Sequence, residues 1–262
     1  MYEEVTGDRS IDEAIPVDVV KRLPLLSALH RGPADLQTLE DSVSSSRSTI
    51  HRALTAFEDV GLVRKIDGKF ELTRTGALVA RETTDFCSRI TTACRMEPFL
   101  NTIQSTDVEI PIGAFSGATV LRPESGRPHF AVKRITELIE ESESIRILSS
   151  VISPVYVDVA HREMMSGTEI EVIFDTHVID VIESEYRDQA ESALETGRFV
   201  ILEHDSIPFE LFLFDGNVGL TAHDEDGIPR AFVETDAADA IEWAESLYER
   251  FRREAHRLSR FP

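Results

Sequence analysis

The chain is short of positive charge. Its 262 residues hold 27 lysines and arginines against 48 aspartates and glutamates, for a formal net charge of -21 at pH 7. Lysine is scarcer still, since only Lys21, Lys65, Lys69 and Lys133 occur. A surface of this kind repels itself in dilute buffer and is tolerated where salt shrinks the Debye length to about 3 Å at 1 M. The composition therefore reads as that of a protein from an extreme halophile. Cysteine is nearly absent: Cys87 and Cys94 are the only two. On one helix they stand about 10 Å apart by helical rise, more than a disulfide spans, so they read as two small buried residues. No apolar run approaches the roughly 18 residues of a membrane helix, and the N-terminal MYEEVTGDRSIDE lacks the basic and apolar regions of a signal peptide. The expectation is a cytoplasmic protein with no membrane partner.

Catalytic signatures are missing as well. There is no Gly-rich phosphate loop and no Gly-x-Ser-x-Gly. A His-x-Lys pair of the phospholipase type is absent, because Lys133 stands at the wrong spacing from His129 and His161 is followed by Glu163. His177, His204, His223, Asp224 and Asp226 lack compact metal-ligand spacing. We therefore expect no enzyme, no metal and no cofactor. A content of 42% apolar residues over this length is enough for two cores.

What is present is a concentration of the scarce cations. From Ser44 to Arg81, Arg47, Arg52, Arg64, Lys65, Lys69, Arg74 and Arg81 face only Glu58, Asp59, Asp67 and Glu71. Upstream, residues 16–30 show helical apolar spacing with a break expected at Pro24. A short helix over 34–43 follows, and then the Ser44-Ser45-Ser46 turn, which can cap the next helix. That third helix, 46–60, puts Ile50, Ala53, Leu54 and Phe57 on one stripe and turns Arg47, Ser48, His51, Arg52 and Thr55 outward. Gly61 ends it. Two short alternating stretches flank Asp67-Gly68, a tight primed turn. Three helices and a hairpin make a winged helix-turn-helix.

Short donors and arginines on a free helix suit a DNA major groove, and the wing offers Arg64, Lys65 and Lys69 to the backbone or minor groove. The segment SRSTIHRALTAFEDVGLVRKIDGKFELTRTG resembles the recognition helix and wing of archaeal winged-helix transcription regulators. The resemblance implies double-stranded DNA as partner, with Ser46, Arg47, Ser48, Thr49, His51 and Arg52 at the DNA-facing positions and Arg64, Lys65, Lys69 and Arg74 beside them.

Residues 76–105 read as a long helix interrupted at Pro98, a place for homodimer contacts. Proline and glycine concentrate over 110–129, which reads as a loop or edge strand and a domain boundary. Beyond it, helical and strand periods alternate: helix 130–141, strand 145–152, helix 155–165, strand 169–174, helix 178–195, strand 199–203. Strands over 209–214, 218–222 and 230–233 follow, joined by Asp215-Gly216-Asn217 and Asp226-Gly227, with a last helix from Ala237 to about Arg260. Alternation of this kind argues an α/β layer.

Within it, Glu97-Pro98-Phe99-Leu100-Asn101-Thr102-Ile103, the Asp215-Gly216 turn, Phe232-Val233-Glu234-Thr235-Asp236 and the helix from Ala240 to Ala255 resemble the effector domain of FilR-type archaeal regulators. That domain is similar in architecture to the phospholipase-D-like sensor domain of TrmB-like regulators, without the catalytic motif. The resemblance implies control by a small-molecule metabolite. The resulting division is a winged helix-turn-helix over 1–82, a linker and dimerisation segment over 83–128, and an α/β effector-sensing domain over 129–262. Ligands of open α/β sheets bind beyond the carboxyl ends of the strands, which here means Ser149, Ser150, Ser153, Asp175, His177, His204 and Asp205. The alternative is an α/β enzyme or adaptor that uses its winged helix for protein contacts.

Overall fold

A computed structural model describes residues 14–123, 130–224 and 229–258. Its contacts divide the chain into two compact units, Met1–Ile90 and Thr91–Pro262.

In the first unit, helices α1 (Ala14–Lys21) and α2 (Leu23–His30) are separated at Arg22, and Pro24 sits in the first turn of α2, where its missing N–H costs nothing. Helix α3 (Leu36–Ser42) is capped by Asp35, whose carboxylate accepts from the Thr38 N–H at 2.9 Å. Helix α4 (Arg47–Asp59) follows, and the chain then turns into strands β1 (Val63–Ile66) and β2 (Lys69–Leu72). Between the strands Asp67 (φ 50) and Gly68 (φ 81) are both left-handed, as a type I′ hairpin turn requires. Leu26, Leu39, Ile50 and Leu54 are each at most 1% exposed and form the centre of one core. Reciprocal Ala34–Phe70 backbone bonds of 3.0 and 2.8 Å tie the hairpin to the segment before α3.

Helix α5 (Arg74–Arg95) starts close against β1. Thr73 donates its hydroxyl to the Gly61 carbonyl at 2.7 Å and accepts from the Gly76 N–H at 3.0 Å. A Cβ on Gly76 would stand 1.9 Å from the Leu62 carbonyl oxygen, so only glycine fits. The long helix expected over 76–105 breaks at Met96, and α6 (Glu97–Thr102) restarts with Pro98 in its first turn. Cys87 is half-buried but Cys94 is exposed, which corrects the reading of both as buried.

The second unit is built on an eight-stranded sheet whose described strands are β3 (Thr119–Leu121), β4 (Ser144–Ser149), β5 (Glu169–Asp175), β6 (Phe199–His204), β7 (Glu210–Phe214), β8 (Asn217–His223), β9 (Pro229–Thr235) and β10 (His256–Arg257). Their order is β10-β6-β5-β4-β7-β8-β9-β3; β4, β5 and β6 run parallel and the rest pair antiparallel. Helices α7 (Phe130–Glu141), α8 (Pro154–Ser166), α9 (Thr176–Glu185) and α10 (Arg187–Glu195) cover one face. Helix α11 (Ala238–Glu254), α6 and a 3-10 turn over Ile112–Phe115 cover the other.

Alternation decides which residue faces which layer. Leu148, Ile173, Leu211 and Val233 pack toward α11, while Ile145, Ile170, Phe212 and Phe232 pack toward α7 and α8. Ion pairs fasten the layers. Arg134 on α7 makes a two-pronged contact with Glu234 of β9 at 2.8 and 2.5 Å, and Arg252 on α11 does so with Glu171 of β5 at 2.7 and 3.2 Å.

The mixed α/β architecture is as expected, but several boundaries differ. The segment 178–195 holds two helices, because Tyr186 leaves helical geometry. The strand beginning near Ile145 ends at Ser149 rather than Ile152. The last helix ends at Glu254, where Ala255 turns extended and His256–Arg257 pairs with Glu203 and Leu202 of β6. A free sheet edge within reach of the chain overrode helical propensity there. The Asp226-Gly227 turn lies outside the described residues.

Candidate nucleic-acid interface and ligand cavity

In α4 the hydrophobic stripe decides which side is free. Ile50, Ala53, Leu54 and Phe57 are at most 2% exposed, while Arg47, Ser48, Thr49, His51 and Arg52 are all exposed. Ser46 caps the helix: its Oγ accepts from the Thr49 N–H at 3.3 Å and lies 2.9 Å from Thr49 Oγ1 and 3.1 Å from Ser48 Oγ. Its hydroxyl therefore has local work, and Ser48 and Thr49 share it. Arg47 Nη1 stands 3.6 Å from Glu40 Oε2, an exposed and weak pair.

On the hairpin, Arg64 and Glu71 are cross-strand partners, and Arg64 Nε donates to Glu71 Oε1 at 2.6 Å. Lys65 lies with its ammonium 5.1 Å from the centre of the Phe70 ring. Lys69 and Arg74 are exposed. Thus the predicted residues share one unit and are solvent-facing, but Arg64 is already neutralised across the hairpin.

The second unit's predicted ligand residues do not converge. Ser149 and Ser153 line a partly open cavity of about 100 Å³ between β4–β6 and α8–α10. Asp175 caps α9 by accepting from the His177 N–H at 2.9 Å, and His177 is exposed. His204 points to the opposite layer, with its ring 4.9 Å from that of Phe251 and Nε2 3.6 Å from Glu254 Oε2. Asp205 is exposed and Ser150 is half-buried, neither of them on the cavity. Strand ends that look alike in sequence are sorted by pleat onto different faces.

Two residues that the sequence did not single out, Glu210 and Tyr156, sit at the cavity, and His223, set aside as a metal ligand, lies behind Glu210. Glu210, next to Ser149 on the neighbouring strand, is 1% exposed. Its Oε1 lies 2.6 Å from Ser149 Oγ, while Ser149 Oγ also lies 2.8 Å from the Val151 carbonyl. A hydroxyl has one hydrogen and can donate to only one of them. Both contacts are satisfied when the Glu210 carboxyl is protonated, donating to Ser149, which donates on to Val151. Burial, only partly opposed by the Ser149 bond, pushes Glu210 up to about 8, in agreement with that arrangement. Its Oε2 has no hydrogen-bond partner and lies 3.5 Å from His223 Nδ1.

Burial pulls His223 below its usual value, against the opposing pull of Asp224. Tyr156, on the cavity wall, is pushed up by burial and by Glu210. The clue to this cluster was legible: Glu210 is the lone carboxylate in the apolar run IPFELFLF.

Residues 128–254 match the family described as methanogenesis regulatory protein FilR1, middle domain. Residues 11–95 match the family described as the HVO_A0261 N-terminal domain. No curated protein matches the chain. Among solved structures, the archaeal chromatin protein TrmBL2 is 12% identical over 94% of this chain and 96% of its own, with a TM-score of 0.45. The phospholipase D family member Nuc from Salmonella typhimurium is 13% identical over 54% of this chain and 97% of its own, with a TM-score of 0.40.

Proposed function

We propose, for a chain whose residues 128–254 belong to the FilR1 middle-domain family, that it is a sequence-specific, DNA-binding transcription regulator. The observation that carries this reading is the bare face of α4, where five consecutive-turn polar residues, two of them arginines, face solvent over a fully packed stripe. In this reading residues 1–82 meet double-stranded DNA, with Arg47 and Arg52 at guanine edges or phosphates, Ser46, Ser48, Thr49 and His51 beside them, and Lys65, Lys69, Arg74 and Arg64 flanking from the wing.

Residues 83–128 hold two copies together. Support comes from α5, where Leu78, Phe86 and Ile90 are each about half exposed, at 50%, 50% and 48%. Residues 129–262 sense a metabolite, whose binding changes operator affinity only through its preference for one of two states of the dimer. The acidic balance fits a salt-rich cell interior, as in an extreme halophile. No described helix is long and apolar enough to cross a membrane.

The test is retention of a labelled DNA fragment taken from upstream of the coding sequence. Arg47→Ala with Arg52→Ala is expected to weaken it at least about thirtyfold, at about 1–3 kcal/mol per contact, with the melting curve unchanged because both side chains are exposed. Equal binding by the double variant would sink the recognition-helix assignment and favour a protein-binding winged helix.

A further inference from the structure

Within the proposed effector-sensing role, the chemistry of the cavity restricts what it can sense. Its walls are aliphatic and aromatic, with Ile147, Met164, Val172, Phe174, Ile182 and Phe199 among them. No lysine, arginine, aspartate or glutamate lines it. A phosphorylated or carboxylated metabolite would lose its hydration with no cation to replace it. A sugar brings more hydroxyls than the few polar side chains of this mainly apolar lining can pair, and a space of about 100 Å³ is small for its ring and hydroxyls together.

The polar side chains of the lining are Ser149, Ser153, Tyr156, His161, Tyr186 and Gln189, and the His161 ring nitrogen Nε2 lies 3.0 Å from Ser192 Oγ. Ser149 is occupied there by the hydrogen bonds to Val151 and Glu210 already described. A void of about 100 Å³ is comparable to the roughly 150 Å³ engineered apolar cavity that stays dry and takes benzene or xenon. The room suits one compact ring or branched chain.

We infer that this cavity is a binding site for a small, uncharged, predominantly apolar molecule of about phenyl size, held between β4–β6 and α8–α10, and that sugars and phosphorylated metabolites are excluded from it. The site lies at the carboxyl end of β4, where Ser149 ends the strand and Ser153 precedes α8, so an occupant touches both the parallel strands and the helices over them. Helix α10 contributes the small side chains Ala190 and Ala193 to the wall.

The test uses the full-length chain with toluene as probe and glucose and adenosine monophosphate as controls. Toluene at about tenfold over its Kd is expected to raise the melting temperature by about 3 °C, and the controls by nothing measurable. Ala190→Leu, which fills the void, is expected to abolish the toluene shift. Ile182→Val, a conservative enlargement, is expected to keep the fold and to bind p-xylene several-fold more tightly than the parent does.

The inference is overturned if toluene gives no shift in the parent chain, if glucose or the nucleotide competes with toluene, or if Ile182→Val leaves the toluene to p-xylene preference unchanged. DNA retention measured with and without toluene separates the two readings. A toluene-bound chain with unaltered DNA affinity would remove the effector-controlled regulator while leaving the cavity assignment in place.

Discussion

The two units treat polar groups in opposite ways. In the first, every residue offered to DNA is solvated in the free protein, and the buried side of α4 is purely apolar. In the second, a carboxyl group is sealed at 1% exposure beside an apolar void. A solvated group is ready to exchange water for a partner at small cost, which suits a surface that must find and leave many sites. A buried carboxyl keeps its proton and fixes its neighbours, which suits a site with a single shape. The difference teaches that the first unit's function lies in what it leaves uncovered, and the second's in what it encloses.

The largest expected effect breaks the first unit alone. Gly76→Ala places a Cβ on the Leu62 carbonyl, and neither backbone can yield without moving α5 from β1. A loss of about 3 kcal/mol is expected from overpacking of this severity. In calorimetry the transition belonging to the first unit falls by many degrees, and the toluene-responsive transition stays where it was. Coincident loss of both would show that the units melt as one, and the contrast between them would fail as a statement about stability.

The next effect concerns the enclosed carboxyl. Glu210 has a folded value of about 8 against an ordinary 4.5, so between these limits the folded chain holds a proton that the unfolded chain releases. The stability this confers is fully present below the ordinary value and is lost as pH rises through about 8. Glu210→Gln keeps the shape and a donor toward Ser149 but cannot ionise. Urea midpoints at pH 5, 7 and 9 should therefore converge in the variant, which gains about 2 kcal/mol on the parent at the alkaline end. Parallel pH profiles for the two would mean that the carboxyl is ionised when folded.

How far this was legible beforehand depends on the range of the forces involved. The Asp67-Gly68 turn, the Gly61 helix stop and the Ser46 cap are decided by neighbouring residues, and each stands where local chemistry puts it. The bare face of α4 follows from the same periodicity. The interruption expected at Pro98 is also local and falls at Met96, whereas the break at Tyr186 and the strand at His256–Arg257 answer to packing partners far away in sequence. The cavity was beyond reach because it is space that three helices fail to fill. Glu210 was visible as an oddity, but its meeting with Ser149 depends on β4 lying beside β7 rather than on anything near either residue. His204 shows the converse error: it follows a parallel strand, yet the pleat turns it toward α11.

A smaller effect sharpens the role of α5. Phe86→Ala removes half-exposed apolar surface and is expected to weaken self-association about tenfold, or about 1.4 kcal/mol, without changing the fold of either unit. Sedimentation at graded concentrations measures it, and an unchanged mass distribution would move the dimer contact elsewhere.

The smallest expected effect is on salt dependence. The segment from Ser44 to Arg81 holds only three more cations than anions. Of those cations, Arg64 is bonded to Glu71 and Arg47 lies near Glu40, so a phosphate that engages either must displace a carboxylate already acting as its counterion. Displacement of a fixed anion releases no salt ion, and the slope of log affinity against log salt scales with the ions released, at about 0.9 per phosphate neutralised. The four other DNA-facing cations, Arg52, Lys65, Lys69 and Arg74, then set a slope no steeper than about -4 per bound copy. Glu71→Gln frees Arg64 and should steepen it by about one. Affinity would then rest mainly on fitted contacts from α4 to base edges, which persist in molar KCl. A parent slope much steeper than this, undisturbed by Glu71→Gln, would mean that phosphates hold the complex together and that the free face of α4 positions the protein without reading the sequence.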